Sequence, residues 1–245
     1  MLLFTGAVDG GDEALELAIG HALVRRASAG ELTEALRVYR PPAPVVVFGR
    51  RDTRLAGFGA AVLAARAAGF EPLVRAVGGR PVAYTTEALV IDHVKHERLA
   101  PDGMETRFTQ YGSLYAEVLQ TLGIDARVGP VPGEYCPGDY SVNARGAVKL
   151  VGTGQRVVRN GWLFSALVVV GDDDRLRPLL TDVYRHLELP FDPASVGSLA
   201  AEVPGLGVDT VQHQLLTAYG ASAAEPIDDA TVEVAKSLAA DHRVL

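Results

Sequence analysis
The chain has 245 residues, a formal net charge of −7 and 48% hydrophobic content. That length is enough to bury a substantial core as one domain, the acidic balance argues against a nucleic-acid binder, and no run reaches the ~18 apolar residues of a membrane span. One cysteine, Cys136, excludes an intramolecular disulfide, and the expectation is a reduced thiol in a cytoplasmic protein whose opening MLLFTGAVDG is too short in apolar core for a signal peptide.

Leu15, Ile19, Leu23 and Val24 recur near helical spacing and predict a first helix over 12–27, with Asp12 and Glu13 at its positive end. Strands are expected at 36–39 and 45–48, separated by Pro41, Pro42 and Pro44. The turn Gly49-Arg50-Arg51-Asp52 should lead into an alanine-rich helix near 55–68, stopped by Gly69. Further strands are expected at 73–76, 82–84 and 88–94, and a long amphipathic helix over 105–122 carries Phe108, Tyr111, Leu114, Tyr115, Val118 and Leu122 on one face. The proline- and glycine-rich stretch 128–137 reads as an ordered loop. Strands follow at 140–143 and 147–158. Asn160-Gly161 predicts a tight hairpin from 155–158 to 162–170. Helices are expected over 175–187, 208–219 and 228–240. Strands and helices mix without strict alternation. The expectation is therefore one α+β domain over 1–245, with a mixed, largely antiparallel sheet flanked by helices, residues 171–245 lacking any motif to anchor them.

The stretch GEYCPGDYSVNARGAVKLVGTGQR (133–156) concentrates the unusual chemistry. It holds Cys136 and, thirteen residues on, Lys149, one of three lysines (Lys95, Lys149, Lys236) among 23 basic residues. A thiol attacks as thiolate and needs a nearby cation or base, and an amine next to the thiol turn can supply one. Free cysteines are more often buried and inert, so the residues alone leave both readings open. In Arg75-Ala76-Val77-Gly78-Gly79-Arg80, the double glycine lets backbone approach a ligand while Arg75 and Arg80 hold an anion or carbonyl; a plain tight turn with two solvent arginines is the alternative. Gly152-Thr153-Gly154-Gln155 leaves a trough on one strand face, for a ligand or another backbone; a bulged strand at a sheet edge is the alternative. Six histidines give no paired ligand motif, so no metal site is expected.

Taken together, VVVFGRRDTRL (45–55), GFEPLVRAVGGRPVAY (69–84) and GEYCPGDYSVNARGAVKLVGTGQRVVRNG (133–161) resemble the lipoate/octanoate attachment superfamily, the lipoate-protein ligases and octanoyltransferases. The order and spacing of three blocks carry the resemblance. Tyr135–Gly138 and Arg75–Gly79 are similar to the branch that moves octanoyl groups from the glycine cleavage H protein. The resemblance implies the catalytic-domain fold of biotin and lipoate protein ligases. It also implies Cys136 as the nucleophile of a thioester relay, Lys149 as a carbonyl-polarising or proton-shuttling group, and a substrate site of Arg75, Gly78, Gly79, Gly152, Thr153, Gly154 and Gln155. The implied partners are lipoyl-domain carriers, such as the glycine cleavage H protein and 2-oxoacid dehydrogenase acyltransferase subunits, met by a monomer with neither nucleic acid nor membrane involved. No cofactor is implied, ATP and Mg entering only if the chain is a ligase using Lys149. Arg80-Pro81 departs from the small residues usual in that loop and favours a third reading, a carrier- or acyl-binding relative without turnover.

Overall fold
The computed structural model describes residues 1–8, 11–221 and 223–244. In chain order the elements are β1 (Leu2–Thr5), α1 (Glu13–Ala29), β2 (Glu34–Tyr39), β3 (Val45–Phe48), α2 (Phe58–Ala67), β4 (Glu71–Val74), β5 (Val82–Tyr84), β6 (Ala88–His96), α3 (Met104–Thr121), β7 (Ala126–Val128), β8 (Val142–Ala144), β9 (Val148–Val158), β10 (Gly161–Val169), α4 (Asp173–His186), α5 (Leu199–Glu202), α6 (Val208–Ala218), β11 (Ala224–Glu225) and α7 (Asp229–Leu238). An eight-stranded sheet runs β11-β1-β2-β6-β10-β9-β8-β7, and a second sheet of three strands runs β4-β3-β5. The large sheet is antiparallel except where β1 meets β2 and β11, so it is mixed and mostly antiparallel as expected.

The elements follow local chemistry. The Asp12 carboxylate accepts from the backbone N–H of Ala14 and Leu15, and α1 ends at Gly30 in a left-handed cap. Helices α1 and α7 cover one face of the large sheet with an apolar layer that includes Ile19, Leu23, Val94 and Leu238. Helices α3 and α6 cover the other, packing Tyr111, Tyr115, Val211 and Leu215 onto Leu36, Ile91 and Phe164. The small sheet buries Val45–Phe48 under α2 and α4, against Val62, Leu180 and Val183.

The structure departs from the sequence expectation in instructive places. The strand expected at 73–76 ends at Val74, which frees Arg75–Arg80 to form a loop. The helix expected from 55 begins at Phe58, after a 3-10 turn over Asp52–Arg54. Gly161 pairs with Val158 inside the ladder, so the hairpin turns at Arg159-Asn160, one residue earlier than the Asn-Gly pair suggests, with Asn160 at φ 60. Strands β1, β7 and β11 and the separate small sheet were not foreseen.

One irregularity positions the site. Val142 pairs with Val151 and Asn143 with Lys149, so Leu150 is an extra residue and β9 carries a bulge. The bulge resets the alternation of side chains. Lys149 and Gly152 consequently share a face, and a Cβ added to Gly152 would sit 3.4 Å from Lys149 Cε.

Candidate active site
Cys136 sits half-buried on the loop between β7 and β8, at φ 44, a left-handed conformation that costs a non-glycine residue. Three groups fix it there. Its backbone N–H donates to the Tyr184 hydroxyl at 2.6 Å, and that hydroxyl donates onward to the Pro81 carbonyl at 2.9 Å. Its carbonyl accepts from Lys149 Nζ at 2.7 Å, and the Tyr135 carbonyl accepts from the same amine at 3.1 Å. Lys149 is fully interior, and Glu134 Oε2 lies 3.0 Å from its amine as the balancing charge. Glu134 in turn accepts through Oε1 from the N–H groups of Val131 and Gly138 and from Ser141 Oγ, tying the whole loop to one carboxylate.

The sulfur itself faces the other loop. Arg75 Nη2 and the backbone N–H of Arg80 each lie 3.2 Å from Sγ. Burial pushes the thiol up, but the Arg75 charge, the Lys149 charge and the Arg80 N–H outweigh it, leaving the pKa below the ordinary thiol value. Gly79 is what allows this approach. It sits at φ 118, and a Cβ there would fall 2.8 Å from Sγ and 2.3 Å from Arg75 Nη2. Gly78 has open space around it, so the two glycines of the pair differ in role. Arg80 is anchored, its guanidinium 2.7 Å from Oδ1 of the fully buried Asp52, whose Oδ2 accepts from the Gly49 N–H. Arg80-Pro81 therefore fits the site: the side chain, backbone N–H and next carbonyl of this dipeptide all have partners.

Lys149 and Cys136 are thus brought together, though through the cysteine's carbonyl rather than its sulfur. The guanidinium of Arg75 takes the place at the sulfur that the sequence suggested for the amine. A cleft of about 330 Å³ opens beside Cys136, lined among others by Gly78, Gly79, Lys149, Thr153, Gly154 and Gln155. A narrower cavity lies behind it and shares Thr153 and Gly154, with Gly152, Arg75, Val77, Val90 and Leu167 on its walls. The trough at Gly154 is filled by backbone, since the Gly78 carbonyl lies 3.4 Å from where a Cβ would stand. Gln155 lines the cleft with its amide spent on Arg107 and the Met104 carbonyl. The arginines around the cleft are largely engaged: Arg75 at the sulfur, Arg80 on Asp52 and Arg156 on the Ala76 carbonyl, while Arg159 is exposed.

The model of the lipoyl protein ligase A/B catalytic domain matches residues 12–220. The chain belongs to that family. Curated relatives include octanoyl-[GcvH]:protein N-octanoyltransferases from Geobacillus kaustophilus, 30% identical over 61% of this chain and 52% of the relative, and from Exiguobacterium sibiricum, 34% identical over 57% of this chain and 50% of the relative. The chain thus spans about half the length of the curated relatives it matches. A crystal structure of lipoate-protein ligase A bound with ATP superposes with a TM-score of 0.76 at 18% identity, covering 98% of this chain and 95% of the other, which establishes the shared fold. A lipoate protein ligase from Thermoplasma acidophilum, solved in a study of a bipartite ligase and its E2 lipoyl domain, gives a TM-score of 0.70 at 18% identity, covering 98% of this chain and 92% of the other.

Sequence reading missed Tyr184, Asp52 and Glu134. Glu134 had a signal available, since a carboxylate two residues before the thiol is placed to meet an amine arriving from the following strand. Among the described residues no group of three His, Cys, Asp or Glu could hold a metal ion, and no helix is long and apolar enough to cross a membrane.

Proposed function
We propose that the chain is an acyltransferase that moves a medium-chain acyl group, octanoyl or lipoyl, between lysines of lipoyl-domain carriers through a thioester on Cys136. The observation that carries this reading is the contact of Sγ with Arg75 Nη2 and the Arg80 N–H, at the mouth of a cleft that narrows into a second cavity. The thiolate attacks the acyl carbonyl of the donor amide, giving a tetrahedral intermediate. Collapse forms the thioester, and the departing lysine leaves as an amine once its nitrogen gains a proton. The acceptor lysine, arriving as free amine, then attacks the thioester and regenerates the thiolate. Strand β8 pairs with β9 only as far as Val151, which supports the backbone edge of β9 beyond it, near Thr153 and Gly154, as the oxyanion site. An octanoyl chain buries about seven apolar carbons at roughly 0.8 kcal/mol each, so the inner cavity supplies much of the selectivity. The relay needs no cofactor. The relatives' name identifies GcvH as their octanoyl donor, which supports a glycine cleavage H-type carrier here.

Intact-mass measurement after mixing with octanoylated carrier tests the reading. An octanoyl adduct is expected on the wild type and none on Cys136→Ala. Transfer that requires lipoate and MgATP and survives in Cys136→Ala would overturn it in favour of a ligase. The engagement of Lys149 by Glu134 and two carbonyls speaks against that amine being free for a phosphate.

A further inference from the structure
The two banks of the cysteine cleft carry opposite charge. Arg50, Arg51 and Arg54 stand exposed on the turn between β3 and α2. Among the described residues, no carboxylate pairs with any of them. The turn is tied to the Arg75–Arg80 loop that faces the sulfur. Its buried Asp52 takes Arg80 Nη1 at 2.7 Å and the Gly49 N–H at 2.8 Å, and Gly49 lies so close to the Gly79 carbonyl that a side chain has no room. Gly79 lines the cleft, so these arginines are fixed at its edge.

Arg156 and Arg25 extend this bank. Arg156 on β9 donates through Nη1 to the Ala76 carbonyl of the same loop at 3.0 Å, while its Nε is interior and meets no acceptor. Burial, then the charges of Arg50 on the turn and Arg25 on α1, lower the Arg156 pKa, so the three cations lie in one another's field. Arg25 is exposed, and neither it nor Arg156 has a carboxylate partner among the described residues. Like charges gathered without a counterion are unfavourable, and an incoming anion relieves them. The far bank has the other sign. Asp139 lines the cleft, and Asp102 and Glu105 stand exposed around the start of α3, where Glu105 Oε1 accepts from the Tyr140 hydroxyl at 3.3 Å. The chain as a whole carries −7, so the arginine bank is a local exception.

We propose that Arg25, Arg50, Arg51, Arg54 and Arg156 form a docking surface for a protein partner that bears carboxylates beside the lysine it presents to Cys136. The proposal rests on the acyl-transfer reading of the cleft and names the chemistry of the carrier's contact face. Guanidinium groups take carboxylates as paired hydrogen bonds, which gives the contact geometry as well as charge. The opposed banks set the direction of approach. A carrier with its acidic side over the arginines is attracted, and the reversed carrier brings those carboxylates against Asp102, Glu105 and Asp139. Elsewhere the surface of a chain at −7 repels an acidic partner, so encounter is steered to this bank and weakens as salt rises. A nucleic acid is disfavoured, because its evenly charged backbone would run from the arginines onto the acidic bank.

Calorimetric binding of an apo glycine cleavage H protein, at low and at high salt, tests this without any turnover. The wild type is expected to lose affinity as salt rises. Arg50→Glu combined with Arg51→Glu and Arg54→Glu is expected to weaken binding about tenfold at low salt and to flatten the salt dependence, while melting near the wild type. An equal change of net charge placed elsewhere, at Arg66, Arg185 and Lys236, is expected to alter affinity less than about twofold. Equal weakening by the two triple variants, salt-independent binding by the wild type, failure of the carrier to bind, or tighter arginine-dependent binding of a short DNA duplex than of the carrier would each overturn the proposal. The acyl-transfer reading fails separately, by absence of a Cys136 adduct from octanoylated carrier while the arginine-dependent binding persists.

Discussion
A single hydroxyl joins the two loops that make the cleft: the Tyr184 hydroxyl accepts from the Cys136 N–H at 2.6 Å and donates to the Pro81 carbonyl at 2.9 Å. The left-handed turn at Cys136 is held by a side chain from α4, far along the chain. Tyr184→Phe keeps the ring and leaves two interior backbone groups unmet. It is expected to cost about 1–3 kcal/mol in denaturant unfolding and to slow adduct formation at Cys136, read by mass spectrometry. Unchanged adduct kinetics would show that the link is not needed for reactivity.

The thiol should titrate below the ordinary cysteine value. Alkylation of Cys136 by iodoacetamide, followed against pH, is expected to show a midpoint below about 8.5, and Arg75→Gln should raise it. The sign for stability follows: a folded-state pKa depressed below the unfolded one contributes stability that is complete above the unfolded value and fades as pH falls through the folded value. Loss of Arg75 should therefore cost more stability at alkaline than at acidic pH.

Lys149 and Glu134 form an interior pair, and removing one partner strands the other. Lys149→Met is expected to destabilise the fold by about 3–5 kcal/mol, and Lys149→Met with Glu134→Gln to recover part of that loss. Chemical denaturation of the wild type, Lys149→Met, Glu134→Gln and the double variant is the measurement. Additive losses would show that the two groups act independently.

The glycine pair supplies an internal control. Gly79→Ala places a methyl against Sγ and Arg75 at a positive φ, and should abolish alkylation and acyl-adduct formation at neutral pH. Gly78→Ala meets nothing within 4 Å and should leave both largely intact. Equal effects of the two substitutions would contradict the assigned geometry.

Cys136, Lys149, Arg75 and Gly79 were legible in the sequence because each lies in a short motif whose order survives folding. Tyr184 was not: in α4 it continues the face of Leu176, Leu179, Leu180 and Val183, where an aromatic reads as packing. Asp52 looks like an ordinary turn residue, and only the three-dimensional meeting with Arg80 explains its burial. The small sheet was illegible for a related reason. Val45–Phe48 is buried throughout and shows no alternation, so nothing in it states which neighbours it will pair with. The direction of Lys149, toward the cysteine's carbonyl, depends on a one-residue irregularity in β9 that spacing rules do not foresee.

That irregularity has an evolutionary edge. Because Leu150 is the surplus residue in β9, the direction in which Lys149 points is decided by a count of residues and not by any side chain. Losing a single codon there would leave every reactive group in the chain, yet turn the amine to the opposite side of the ribbon and deprive the thiol turn of its brace.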